Sequence, residues 1–223
     1  MSRDHHDHGR STGAGRLVTA LVWTVLLLGL WLWGRGVTDV ERSTDSPATG
    51  DVFALGHPTR LPPPAKPLRA APPQRIDIPR LSVQAPVTTR GLDARGAVDP
   101  PPYDQPGVVG WYGAGPAPGA PGASLMVGHV DTTSRPAVFH RLSTLEPGDE
   151  VRVVRADGRV AAFTVEDLRV LPRDDFDAKL AYGPREPGRA ELRLITCGGA
   201  FDRAARSYTA NVVVFAYLTG AGP

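Results

Sequence analysis

From Arg75 onward the apolar residues come in short runs broken by turn-forming residues, and this pattern limits the chain to a β-rich fold. RIDIPRL places Ile76, Ile78 and Leu81 on one side of an extended segment, the period-two signature of a half-buried strand. Val83–Thr89 reads as a second strand, and Ser124–Val127 as a short central one after the Gly/Pro-rich loop Gly113–Gly122. Pro147-Gly148-Asp149 precedes EVRVV, and Asp157-Gly158 separates that run from RVAAFTV. An Asp-Gly pair between two apolar runs is a strong hairpin signal, because both central residues of the tight turn need positive φ. Leu192–Thr196 and Asn211–Leu218 are two further apolar strands. Phe139, Leu142 and Leu145, at three-residue spacing, fit one short helical turn. Seven or eight strands with little helix predict an all-β barrel or sandwich.

Ahead of this region the chain has a different character. Leu17–Trp33 runs unbroken without a charge, between Arg16 and Arg35. It is longer than the roughly 7–15 apolar residues of a cleaved signal peptide and lacks an A-x-A-like site. It falls within the roughly 17–25 needed to span a bilayer. The reading is a signal anchor over 16–34, with a cytoplasmic tail over 1–15 and the rest of the chain outside the cell membrane as a single-pass protein. His5, His6 and His8 belong to that tail as solvated residues. Residues 35–73 form a linker. Its second half, His57–Pro73 (HPTRLPPPAKPLRAAPP), is dense in proline, which imposes extended polyproline geometry and suggests a stiff stalk. A domain over 74–219 follows.

Composition narrows the chemistry. The formal net charge is +2, too small for the basic face that nucleic-acid binding requires. Cys197 is the only cysteine, so neither an internal disulfide nor a cysteine-based zinc site is available. No cluster of metal ligands is apparent, and neither metal nor cofactor is expected. Within the predicted domain the histidines are His129 and His140. His129 directly follows the apolar run LMVG, and Cys197 follows LIT, so each sits at the end of a buried strand. A thiol with a pKa of about 8.5 is a weak nucleophile at neutral pH; a nearby imidazole or guanidinium makes it effective. Arg203 and Arg206, in GGAFDRAARSY, are candidates to stabilise an oxyanion. His140, beside the apolar Phe139, reads as a packing residue. Equally, Cys197 fits a small buried hydrophobe and the arginines a solvated loop.

The pair VGHVDT and LITCGG, well separated in the chain and followed by an arginine and the strand NVVVFA, resembles the sortase family. It is most similar to the group called class F, found in high-GC Gram-positive bacteria. The resemblance covers roughly Gln74–Leu218. It implies an eight-stranded sortase β-barrel and a cysteine transpeptidase with His129 and Cys197 in the catalytic positions. The family's TLxTC signature reads Arg193-Leu194-Ile195-Thr196-Cys197 here, lacking its first threonine. The family spacing from cysteine to catalytic arginine selects Arg206. The implied partners are secreted proteins with a C-terminal LPxTG-like sorting signal and an amine acceptor of the cell wall. A cysteine hydrolase and a non-enzymatic stalked binding module are the competing readings. An L,D-transpeptidase fits less well, since its SHGC-type run is absent. Whether the Pro-rich segment Pro100–Pro121 covers the site is open at this level.

Overall fold

The computed structural model describes residues 60–94 and 96–223. The anchor over Leu17–Trp33 and the first half of the linker lie outside the described residues, among which no helix is long and apolar enough to cross a membrane. Eight strands form a closed barrel: β1 (Pro73–Ile78), β2 (Val83–Arg90), β3 (Val109–Tyr112), β4 (Gly122–Val127), β5 (Glu150–Arg155), β6 (Val160–Pro172), β7 (Ala190–Asp202) and β8 (Ser207–Gly222). A short helix, α1 (Ala178–Tyr182), lies between β6 and β7. The order around the barrel is β1-β2-β3-β4-β7-β8-β6-β5. This is the all-β barrel expected from the alternation. The Asp157-Gly158 turn joins β5 to β6 as a hairpin, with Gly158 at φ 80°. The segment around Leu142 is one 3-10 turn, Leu142–Thr144.

Two of the eight pairings are parallel, β2 with β3 and β4 with β7. Parallel neighbours need a long crossover, and here β5, β6 and α1 lie between β4 and β7 in the chain. The strands involved differ in pattern for a physical reason. β1 and β5 alternate, with Ile76, Ile78, Val151 and Val153 turned into the core. β4, β7 and β8 are buried on both faces. Met126, Leu192, Leu194, Val212 and Val214 fill the barrel, while Leu125, Val127, Ile195, Val213 and Phe215 pack outside it with Val98 and Ala181. A strand covered on both sides reads as a continuous apolar run, which is why these three looked alike in the sequence.

The folded unit starts before residue 74. Part of the proline-rich stretch lies against the barrel and does not space it away from anything. Ala65 N–H donates to Leu218 O at 2.8 Å and Leu68 N–H to Gly119 O at 2.7 Å. Tyr217 hydroxyl donates to Pro62 O at 2.6 Å. Arg155, fully buried, donates to Pro118 O at 2.9 Å and Arg69 O at 2.5 Å. The Arg155 guanidinium thus ties one carbonyl of this strap, Arg69 O, and one of the loop before β4, Pro118 O, to β5 with separate nitrogens of its fork.

Candidate active site

Parallel pairing of β4 and β7 brings the C-terminal ends of both strands to one end of the barrel. Val127 pairs with Ile195, and Gly128 N–H donates to Ile195 O at 3.1 Å. His129 and Cys197 each follow these last paired residues by two positions, His129 just past the end of β4 and Cys197 inside β7, which runs on to Asp202. Both occupy outward positions, following Leu125 and Val127 on one strand and Ile195 on the other. Thr196, between Ile195 and Cys197, is buried on the opposite face. The fold therefore places at one end of the barrel two residues that stand far apart in the sequence.

The two side chains differ in environment. Cys197 is free and exposed. Burial of its surroundings nevertheless pushes the thiol up; the charge of Arg173 opposes this and that of Asp131 adds to it. A thiol held above its ordinary value depends on a base to become nucleophilic. His129 is 7% exposed. Its Nε2 lies 2.6 Å from Pro101 O, and its ring stacks on Tyr103 at 4.2 Å between centroids with 20° between planes. A carbonyl only accepts, so Nε2 carries the proton and Nδ1 is left for proton exchange. The backbone is held as well: Phe139 N–H donates to His129 O at 3.0 Å. Gly128, just before the histidine, has no room for a side chain, since a Cβ there would lie 2.7 Å from Phe139 Cδ2 and Val138 Cγ1.

Around the pair, Tyr208 hydroxyl donates to Asp131 Oδ2, linking β8 to the segment after His129. That hydrogen bond, with burial and the carboxylate's charge, leaves the phenol pushed up to about 12. Tyr208 therefore stays a neutral donor at any working pH. Gly199, two residues past Cys197, adopts φ 76° where β7 bulges against β8. An open groove of about 470 Å³ borders the site, lined by Tyr103, Asp104 and Thr132–Arg135.

The remaining sequence candidates fall elsewhere. Arg206 is the last residue of the β7–β8 turn, exposed and at φ 49°. Cys197 pairs with Asn211, five residues further along β8, roughly 16 Å at about 3.3 Å per residue. Arg203 is exposed in the same turn, and His140 is exposed beside the buried Phe139. Tyr103, Asp131 and Tyr208 stand around the site without having been singled out from the sequence. Asp131 stands inside the GHVDT motif and Tyr103 inside the proline-rich segment, so both carried some signal. Tyr208 carried none, because its bond to Asp131 depends on how β8 lies in the folded sheet.

The Sortase domain family model matches residues 76–219. Among curated proteins, none matches the sequence. Solved structures with a similar fold include sortase C-1 from Actinomyces oris, at 22% identity and a TM-score of 0.50, covering 66% of this chain and 73% of that one. A lid mutant of sortase A from Corynebacterium diphtheriae is 19% identical with a TM-score of 0.50, covering 71% and 74%. Sortase C1 from Streptococcus agalactiae is 19% identical with a TM-score of 0.50, covering 66% and 67%. At these identities the likeness is one of fold.

Proposed function

Since this chain belongs to the sortase family, we propose that it is a membrane-anchored cysteine transpeptidase with Cys197 as nucleophile and His129 as acid and base. The observation that carries this reading is the parallel β4–β7 register, which supports a thiol and an imidazole side by side at one barrel end. His129 Nδ1 takes the proton of the Cys197 thiol, and the thiolate attacks the scissile carbonyl of a sorting signal. The tetrahedral intermediate collapses as the C–N bond breaks, and Nδ1–H protonates the leaving amine. What remains is a thioester on Cys197. An incoming primary amine attacks that carbonyl, giving its proton to Nδ1, and the thiolate leaves as the new amide forms. A covalent intermediate of this kind lets an amine compete with water for the acyl group. The Pro101 carbonyl keeps Nε2 protonated throughout, so the same nitrogen does both proton transfers.

The donor substrates are secreted proteins with an LPxTG-like C-terminal signal, and the acceptor is an amine of a cell-wall precursor. The apolar segment Leu17–Trp33 holds the enzyme in the cell membrane with the barrel on the extracytoplasmic side. Cationic assistance to the oxyanion falls to Arg206 by motif, a role for which its side chain must fold back from the turn. The test uses the full-length chain in detergent, a fluorogenic LPxTG-type peptide library and a primary amine. Wild type is expected to yield the amide product and Cys197→Ala none. Equal turnover by both refutes the mechanism, and a product unaffected by the amine refutes transfer in favour of hydrolysis.

A further inference from the structure

His129 sits at the base of a small hairpin that follows β4. Beyond it Ala137 N–H donates to Val130 O at 3.1 Å, Asp131 pairs with Pro136, and Thr132 N–H donates to Arg135 O at 2.8 Å. Thr132 Oγ1 closes the tip by donating to Arg135 O at 3.1 Å. One flank of this hairpin is held by the segment before β3. There Val138 N–H donates to Pro106 O at 2.8 Å, and Pro101 and Tyr103 contact the imidazole. The other flank is tied to β8 by a side-chain bond, from Tyr208 hydroxyl to Asp131 Oδ2. Among the described residues no other group hydrogen-bonds that carboxylate. The donor is itself held in place. Tyr208 pairs with Phe201 of β7, and the Phe201 ring meets the tyrosine ring edge-on, 5.2 Å between centroids. Three residues further along β8, Asn211 pairs with Cys197.

We propose that Asp131 and Tyr208 are positioning residues for the reaction: their hydrogen bond clasps the hairpin that carries His129 to β8, and so fixes the imidazole relative to the strands around Cys197. The inference rests on His129 and Cys197 being the catalytic pair. Asp131 and Tyr208 suit a clasp chemically. A carboxylate accepts and a neutral phenol donates, and a hydrogen bond to a charged acceptor is roughly twice as strong as a neutral one. The charge of Asp131 by itself works against the nucleophile, since it pushes the thiol up. A carboxylate at this place is therefore explained by the bond it makes. The hairpin has no core of its own, and its tip residues Thr133–Arg135 are exposed, so ties at its flanks decide where His129 stands.

The experiment measures transpeptidation kcat and KM in the full-length protein, with a fluorogenic LPxTG-type peptide and a primary amine, alongside Tm. Tyr208→Phe deletes one oxygen and keeps the ring against Phe201, so its Tm should stay close to wild type. Its kcat should fall about 100-fold with KM little changed, the loss that a misplacement of about 1 Å can cause. Asp131→Ala should do the same. Asp131→Asn should keep most of the activity, because its amide oxygen still accepts from the phenol. The double variant Tyr208→Phe with Asp131→Ala should lose no more than the worse single one, since either change breaks the same bond. An unchanged kcat in Tyr208→Phe overturns the inference, as do losses that multiply in the double variant. So does an Asp131→Asn variant as impaired as Asp131→Ala, or a kcat loss in Tyr208→Phe matched by a fall in Tm. If Cys197→Ala is inactive while Tyr208→Phe behaves as wild type, the inference alone fails. If wild type and Cys197→Ala turn over alike, the catalytic reading fails and the inference with it.

Discussion

Glu191→Ala tests the structural support for the strand that carries Cys197. Glu191 and Arg193, near the start of β7, are both fully buried. Where the family signature has a threonine, this chain places Arg193, and Glu191 makes its burial tolerable. The carboxylate accepts from the backbone N–H groups of Arg185 at 3.0 Å and Glu186 at 2.9 Å. It also accepts from Arg189 Nε at 3.0 Å and from Arg193 Nη2. Truncation leaves the Arg193 charge buried without its carboxylate and strips two backbone donors of their acceptor. Removing one partner of a buried pair costs about 3–5 kcal/mol. At about 2–4 °C per kcal/mol for a domain of this size, Tm should fall by roughly 6–20 °C in thermal melts followed by circular dichroism. The double variant Glu191→Leu with Arg193→Met should recover part of this, since the unpaired charge is gone but the backbone donors remain orphaned. pH supplies a second check. Burial alone would raise the Glu191 carboxyl; the Arg185 N–H, Arg193 and the Glu186 N–H outweigh it and leave the group below its ordinary value. Its contribution is then complete above the unfolded value of about 4.3 and lost as pH falls through the lower folded value. The difference from wild type should hold between about pH 6 and 8 and shrink below about pH 4. A Tm loss under about 3 °C at pH 7, or a difference that grows on acidification, refutes the argument.

Two other substitutions probe how His129 is held. In Gly128→Ala the new Cβ meets Phe139, whose side chain is fully buried and has nowhere to go. Overpacking of this kind costs about 1–3 kcal/mol, and because the shift falls on the residue before His129, kcat should fall further than stability alone predicts; a variant with wild-type Tm and kcat counts against the close packing. Tyr103→Ala removes the ring stacked on His129, a contact worth about 0.5–1.5 kcal/mol. Carbethoxylation of His129, read by peptide mass mapping, should become several-fold faster, and an unchanged rate would show that Tyr103 does not shield the imidazole.

Much of the barrel was legible because burial writes itself into residue patterns. One-sided strands such as β1 and β5 alternate, and the turn after β5 needs positive φ at Gly158 alone, Asp157 staying at negative φ. Cys197 and His129 were visible too, each closing an apolar run in a chain with a single cysteine. The proline-rich segment was harder to read, because proline sets an extended backbone without saying whether solvent or protein surrounds it. The carbonyls of Pro62 and Arg69 find their partners on β8 and β5 only after the barrel has closed.

Local chemistry alone therefore determined an all-β domain, its turns, and a thiol and an imidazole at strand ends. Which strands lie side by side was decided by tertiary structure. A continuous apolar run such as Ser124–Val127 specifies burial on both faces but no partner and no direction. Only the parallel alignment of β4 with β7 brings His129 and Cys197, far apart in the sequence, to the same end of the barrel. The same holds for charge: Arg173, on the far side of α1 from the cysteine in the chain, donates to Tyr208 O on β8 only because β6 and β8 pair. Hydrogen-bond ladders set such neighbours, and a ladder forms only when the whole sheet does.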